Sequence, residues 1–462
     1  MISAVNLRRL LNGNKFIIYL FVFNFVFIAC ATKKKVVYTT PNKGAPSKKE
    51  NSIPAKVDTL TWTAEDKGKP SKSNDNKQSD NDPKFDTPKY KNKINKEENV
   101  YRVVCLLPFK TIANDTAASK INSSSYRFIQ YYSGMNIAIE EQNKDQGKRI
   151  EFDTYDCESA AEVGEILSKY DRKPPHLIIG PQKVEALKFA SEWAKSHETS
   201  LLSPWVSSSS IAEDNPFYVQ IKSGLTAHYE NINQHARAHF PAENIILISK
   251  SEDESKARYF NDSTQYKNIT EKVIKESDLS TGVDPIIAPL LKENGPTVFI
   301  LPLASSKDEN YIYHFIRRMA SEKTNKEIII YGMYKWLEMK SDIIDFLNIY
   351  KIRLSVGNYF DPDDNDIKSF KRRYFDKYRE FPSQDALEGY DLTKYCIKAL
   401  RQIGPEFQWK NEHPNTNYLE TDFIIKPVIK LKDIGQNKVI DYYENAYLKI
   451  VEIRNNKYKI VD

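Results

Sequence analysis

The chain has 462 residues, 40% of them hydrophobic, with 68 Lys and Arg against 62 Asp and Glu for a formal net charge of +6. That content is too apolar for a wholly disordered protein and leaves room for lobes of about 100 to 200 residues each. The basic excess lies entirely in the first 98 residues, and residues 99–462 carry −3, so no nucleic-acid partner is expected, because that would need a basic face on a folded domain.

The first element is Arg8, Arg9 and Lys15, followed by the apolar run Phe16 to Ile28 and then Ala29 and Cys30. A basic start and an apolar core shorter than the ~20 residues of a membrane span read as an export signal over residues 1–29. A cysteine directly after a small residue resembles a bacterial lipobox. The resemblance implies that Cys30 is lipidated and becomes the mature N-terminus, although Phe27 stands where an aliphatic residue is usual. Residues 30–98 are rich in Lys, Asn, Asp, Ser and Pro, with 16 Lys against 10 acidic residues over 31–98. So few apolar groups cannot offset the entropy of ordering, and a disordered tether of about 45 Å is expected. Ala31 to Lys35 contains no acid, unlike the acid-tagged start of surface-displayed lipoproteins, so a domain facing the periplasm is expected; the anchor is placed in the outer membrane, with the inner membrane as the alternative.

From Asn99 onward, strand and helix signals alternate, the pattern of parallel sheets covered by helices. A strand is predicted at Val100–Phe109, a helix at Ser125–Gln146, a strand at Arg149–Tyr155 and a helix at Ala160–Tyr170. A strand at His176–Ile179, a helix at Val184–His197 and a strand at Ser200–Ser203 complete the first series. A second begins with a helix at Leu225–Phe240 and a strand at Asn244–Ser249. Helical character around Ser263–Glu276, a strand at Thr297–Pro302, a helix at Ile312–Ser321 and a strand at Glu327–Tyr331 follow. Long helices at Asp366–Phe381 and Asp385–Ile403 precede short strands over Phe423–Tyr458. Three cysteines remain, Cys105, Cys157 and Cys396. An odd number leaves at least one thiol unpaired; buried free thiols are expected, with a Cys105 to Cys157 bridge as the alternative.

Six short segments in order carry a family resemblance: Leu106-Leu-Pro-Phe109, Tyr132-Ser-Gly-Met-Asn-Ile-Ala138, Ile178-Ile-Gly-Pro181, Leu201-Leu-Ser-Pro204, Tyr331-Gly332, and Pro382 to Asp391, which closes with Gly-Tyr-Asp. They resemble the type I periplasmic-binding group of leucine-binding-protein-like domains. Among its branches they look closest to exported lipoproteins such as the C-terminal domain of penicillin-binding-protein activators. The resemblance implies an α/β fold of two Rossmann-like lobes with parallel sheets. The lobes are placed at about 99–221 with 360–405, and about 222–358 with 421–462. Three crossovers join them, near Val219–Ser223, Gly357–Asp361 and Gly404–Asp422, with a ligand cleft between.

In amino-acid-binding members, the loops after the third and fourth strands present hydroxyls and N–H groups to a ligand carboxylate, since an anion leaving water needs donors to replace its hydration. Carried over, the first loop supplies Gln182 beside Lys183 instead of serines, and the second supplies Ser203, Ser207, Ser208 and Ser209. A serine run is also an ordinary turn and cap sequence. In the second lobe, Tyr334 and Trp336 stand where such carriers place an acid for the ligand ammonium, so a zwitterion is disfavoured. Both aromatics suit stacking on a ring or sugar, or simple packing between sheet and helix. His228, His235 and His239 share one helix face, but no carboxylate completes a metal set, and a solvated helix edge is preferred. With no G-x-S-x-G, H-E-x-x-H or phosphate loop, a non-enzymatic protein without cofactor is expected. Its partner is a small solute in an amino-acid ABC transporter substrate-binding role, or a peptidoglycan-synthesis protein docked on a scaffold with a degenerate cleft.

Overall fold

The computed structural model describes residues 100–461 apart from 115–120, 143, 145–146, 251–258, 262–265, 324, 340–349, 411–413, 415, 432–437 and 455–456. Cys30 and the tether lie outside the described residues.

The first sheet is seeded by runs apolar on both faces, the signature of a strand covered by helices on each side. Five parallel strands form it: β1 (Val100–Leu107), β2 (Arg149–Asp156), β3 (Leu177–Ile179), β4 (Ser200–Ser203) and β5 (Tyr218–Gln220). Their spatial order is β5-β4-β3-β1-β2. Helices α1 (Ser123–Gln142), α2 (Ala160–Ser168) and α3 (Val184–Ser196) connect them. Helix α2 opens with a capping box, Ser159 with Glu162, which satisfies two of the N–H groups a helix start leaves free.

The second sheet repeats the plan with β6 (Ile245–Ser249), β7 (Thr270–Val273), β8 (Thr297–Ile300), β9 (Ile328–Met333) and β10 (Lys351–Val356), ordered β10-β9-β8-β6-β7. Helices α4 (Leu225–His239), α5 (Glu276–Thr281) and α6 (Glu309–Glu322) belong to it. Two further helices, α7 (Asn365–Tyr378) and α8 (Gln384–Gln402), return to the first lobe, where α8 lies along α1.

The C-terminal strands divide, which corrects the expected second-lobe assignment of 421–462. β11 (Ile425–Leu431) and β12 (Lys438–Asn445) extend the first sheet, β12 pairing with β5 in parallel. β13 (Lys449–Arg454) and β14 (Lys457–Ile460) extend the second, β13 antiparallel to β10. The third crossover is therefore Ala446 to Leu448, not Gly404–Asp422, which instead joins α8 to β11 within the first lobe. The local pattern gave no signal for this division, because partners distant in the chain set it. The stretch expected as helix around Ser263–Glu276 contains β7, an exposed edge strand (TEKV) without the alternation that marks a strand.

The Gly-Tyr-Asp segment has a structural role. Gly389 lets α8 meet α1, Tyr390 donates to Glu141 Oε2 at 2.8 Å, and Asp391 accepts from the N–H groups of Leu419 and Glu420 at 2.8 and 2.9 Å. Cys105, Cys157 and Cys396 are free and buried, and burial pushes the Cys157 thiol up to about 12, so it stays an unreactive thiol.

Candidate functional site: the facing loops of the two lobes

In a doubly wound sheet, ligands bind beyond the carboxyl ends of the strands where the order reverses. Here that reversal lies between β1 and β3 in the first lobe and between β6 and β8 in the second. The loop after β3 turns at Gly180, whose φ of +84° suits glycine; a Cβ there would sit 2.5 Å from Leu106 O. Gln182 follows, half-buried. Lys183 Nζ lies 2.8 Å from Glu158 Oε1, which also meets Lys110 Nζ at 3.0 Å. The loops after β1, β2 and β3 are thus tied by one ion triad. Lys183, followed by Lys110, holds the Glu158 carboxyl below its ordinary range.

The loop after β4 spends its first hydroxyl internally. Ser203 is fully buried and donates to Val206 O at 3.3 Å, so its side chain staples the turn. Ser207 and Ser208 are half-buried, with Ser208 Oγ 3.0 Å from Ser210 Oγ; the Ser209 side chain lies outside the description. Gln182, Ser207 and Ser208 therefore share the carboxyl end of neighbouring strands, as carried over. Trp205 stands among them, edge-on to Phe128 and Tyr131 with centroids 5.2 and 5.1 Å away, and its Nε1 is buried without a hydrogen-bond partner. An unmet buried indole N–H is a donor that a ligand reaches only if the loop shifts. Trp205 directly follows the Leu201-Leu-Ser-Pro204 motif, and only its packing marks it out from the sequence.

In the second lobe, Trp336 is a core residue, which corrects its reading as a stacking platform. It is 0% exposed, donates Nε1–H to Leu303 O at 2.9 Å, and lies against Gly332, where a Cβ would come within 2.8 Å of the indole. Tyr334 remains half-buried and stacks on His228 at 4.8 Å. Glu338 pairs with Lys335 at 2.9 Å. The reversal point itself holds a pair that sequence reasoning missed: Lys250, after β6, meets Asp308, after β8, at 2.7 Å, both mostly buried. Neither residue has a local motif, and only the sheet order brings them together.

The histidine row is a solvated edge only in part: His239 is exposed and His235 half-buried, but His228 is buried. His228 Nδ1 lies 2.9 Å from Ser355 Oγ, which also accepts from Asn231 Nδ2 at 2.9 Å. His235 reaches Tyr331 Oη at 2.7 Å and Val461 O at 2.9 Å, and His239 stacks on it. Among the described residues no group of three His, Cys, Asp or Glu could hold a metal. Burial pulls the His228 pKa from 6.5 down to about 4. The unfolded chain therefore binds more protons between those values, and stability should fall by about 3 kcal/mol as pH drops from 6.5 to 4. Urea melts across that range check this, and His228→Gln should flatten the slope.

A cavity of about 460 Å³ lies elsewhere, among Glu141, Arg373, Tyr390, Lys394 and Asn417 beside α1, α7 and α8.

Comparison with solved structures places these loops in context. A protein of Rhodospirillum rubrum assigned to branched-chain amino acid ABC transport matches with a TM-score of 0.52 at 12% identity, covering 78% of this chain and all of that one. An ABC transporter substrate-binding protein of Desulfitobacterium hafniense matches with 0.50 at 12% identity and the same coverage. The fold is that of the type I periplasmic-binding proteins. Full-length LpoA of Haemophilus influenzae matches with 0.46 at 11% identity, over 78% of this chain and 59% of that one. No protein-family model matches the sequence, and no curated protein does.

Proposed function

We propose that this is a non-enzymatic envelope lipoprotein whose two-lobed domain binds a small solute between the lobes, as ABC transporter substrate-binding proteins do. The observation that carries the reading is the first-lobe site at the β1/β3 reversal and the adjoining β4 loop. There the half-buried Gln182, Ser207 and Ser208 stand on loops at the carboxyl ends of adjacent strands, with the buried, unpartnered Trp205 Nε1 in the second of those loops, the place where this class of sheet receives ligands. Tyr334 supplies an aromatic wall from the second lobe. Native mass spectrometry of the protein purified from envelopes tests it: a single small adduct at 1:1 is expected, and a bare mass under gentle conditions counts against it.

One observation favours a second reading, a scaffold for a peptidoglycan-synthesis protein with a degenerate cleft. Trp336 and Ser203 are spent on packing, and Lys183 and Lys250 are already paired with acids. Envelope crosslinking that recovers no synthase removes that alternative.

We further propose lipid anchoring at Cys30, with the Lys-rich tether letting the domain work away from an outer membrane. Cys30→Ala should release the protein from the membrane fraction into the soluble periplasm. Continued membrane fractionation of that variant ends the lipoprotein reading.

A further inference from the structure

The three crossovers meet at one small group of side chains. Lys222 of the first crossover has its Nζ 3.5 Å from Glu388 Oε1, which projects from α8. Asn358 of the second donates Nδ2–H to that same oxygen at 2.9 Å and to Glu420 Oε1 at 3.4 Å. The Glu420 segment is stitched to the second crossover through its backbone as well: Tyr359 N–H donates to Glu420 O at 2.7 Å, and Thr421 Oγ1 donates to Gly357 O at 2.8 Å. It reaches the third through Asn445, whose Nδ2 donates to Asp422 O at 2.9 Å and whose carbonyl accepts from Ser223 Oγ at 2.6 Å.

The charges at this junction do not balance. Glu420 is 3% exposed, and its Oε2 is buried without a hydrogen-bond partner. The Glu388 side chain is 14% exposed and faces Lys222, which is itself 40% exposed, while Lys394 stands near Asp391 and donates to Asn417 O at 2.8 Å. The other charged groups around Glu420 come from α8: Asp391, whose oxygens take the Leu419 and Glu420 N–H groups, and Asp385, which Arg127 of α1 neutralises at 3.0 Å. A second uncompensated carboxylate in so dry a place costs several kcal/mol. A proton on Glu420 removes that cost and leaves Oε1 to accept from Asn358.

We propose that Glu420 holds a proton at the hinge beside Glu388, and that its loss frees the Glu420 segment from the second crossover, making lobe movement sensitive to pH. When the proton leaves, Glu420 repels Glu388 and Asp391. The movement that relieves the repulsion breaks the contacts to Asn358, Gly357 and Tyr359, which hold the crossovers in register. Burial, reinforced by Glu388 and Asp391, raises the Glu420 pKa well above its ordinary value. A raised acid stabilises the junction below its unfolded pKa and loses that contribution as pH rises toward the folded one, so the hinge is tight in acid and loose in base. This does not depend on which solute, if any, the cleft takes.

The test is amide hydrogen exchange on the full-length chain at pH 6 and pH 8, corrected for intrinsic rates. Wild type should lose about tenfold in protection at residues 357–361 and 418–424 on going to pH 8, the factor that one pKa unit of linkage gives. Glu420→Gln should lose clearly less protection than wild type, the remainder coming from Asp391, whose carboxyl burial pushes up to about 7 beside the same segment. Should Glu420→Gln fail to fold, Glu388→Gln serves: removing the like charge should move the onset of loosening to higher pH, because the proton's loss then creates only one buried charge beside Lys222. Unchanged protection in wild type, or a pH response that survives in the variants unaltered, overturns the proposal.

Discussion

Gly389→Ala is expected to destabilise the first lobe by ~3 kcal/mol or more, read as a melting temperature lowered by at least about 5 °C. A Cβ on Gly389 would lie 2.1 Å from Tyr131 O, and one on Gly134 would lie 1.9 Å from Ala386 O. The two glycines therefore form a reciprocal contact that brings the backbones of α1 and α8 together. Helix propensity alone would favour Ala by about 1 kcal/mol. That gain is outweighed, because the obstacle is a main-chain oxygen in the middle of a helix, and no side-chain rotation relieves it. The effect should spread to the site, since Tyr131 also packs on Trp205. A melt unchanged or raised by the substitution would show that the helices do not pack through these glycines.

Trp336→Ala should cost about 3–5 kcal/mol, the range for removing a buried aromatic, with an unpaired Leu303 carbonyl included. Trp336→Phe should cost less, since it keeps most of the volume and loses the hydrogen bond. For a cleft residue the opposite pattern holds: truncation weakens ligand binding and leaves the melt nearly unchanged. Chemical denaturation of both variants separates the two outcomes.

Much of this fold was legible in the sequence because parallel strands covered on both faces are continuous apolar runs, such as Leu177–Ile179 and Ile245–Ser249. The misread parts share a physical cause. β7 is a polar edge strand, and the membership of the C-terminal hairpins in one sheet or the other is set by long-range pairing such as Tyr443 with Val219. The site was legible only as far as its backbone frame: the turn at Gly180 and the serine loop stand where the motifs put them. What the hydroxyls and rings do there depends on neighbours distant in sequence. Ser203 turns inward to Val206, Trp336 inward to Leu303, and Lys250 finds Asp308 only because β6 and β8 are adjacent. The hinge group was invisible for the same reason, as Lys222, Asn358, Glu388 and Glu420 come from four separate segments.

The most direct test of a solute-binding function is a thermal melt of the full-length protein against amino acids, sugars and cell-wall peptides. A true ligand at 100 times its dissociation constant adds about 2.7 kcal/mol to stability. The account predicts a clear upward shift for at least one of these classes, reduced by Gln182→Ala or Ser208→Ala. No shift from any compound at millimolar concentration would contradict it and leave the scaffold reading in its place.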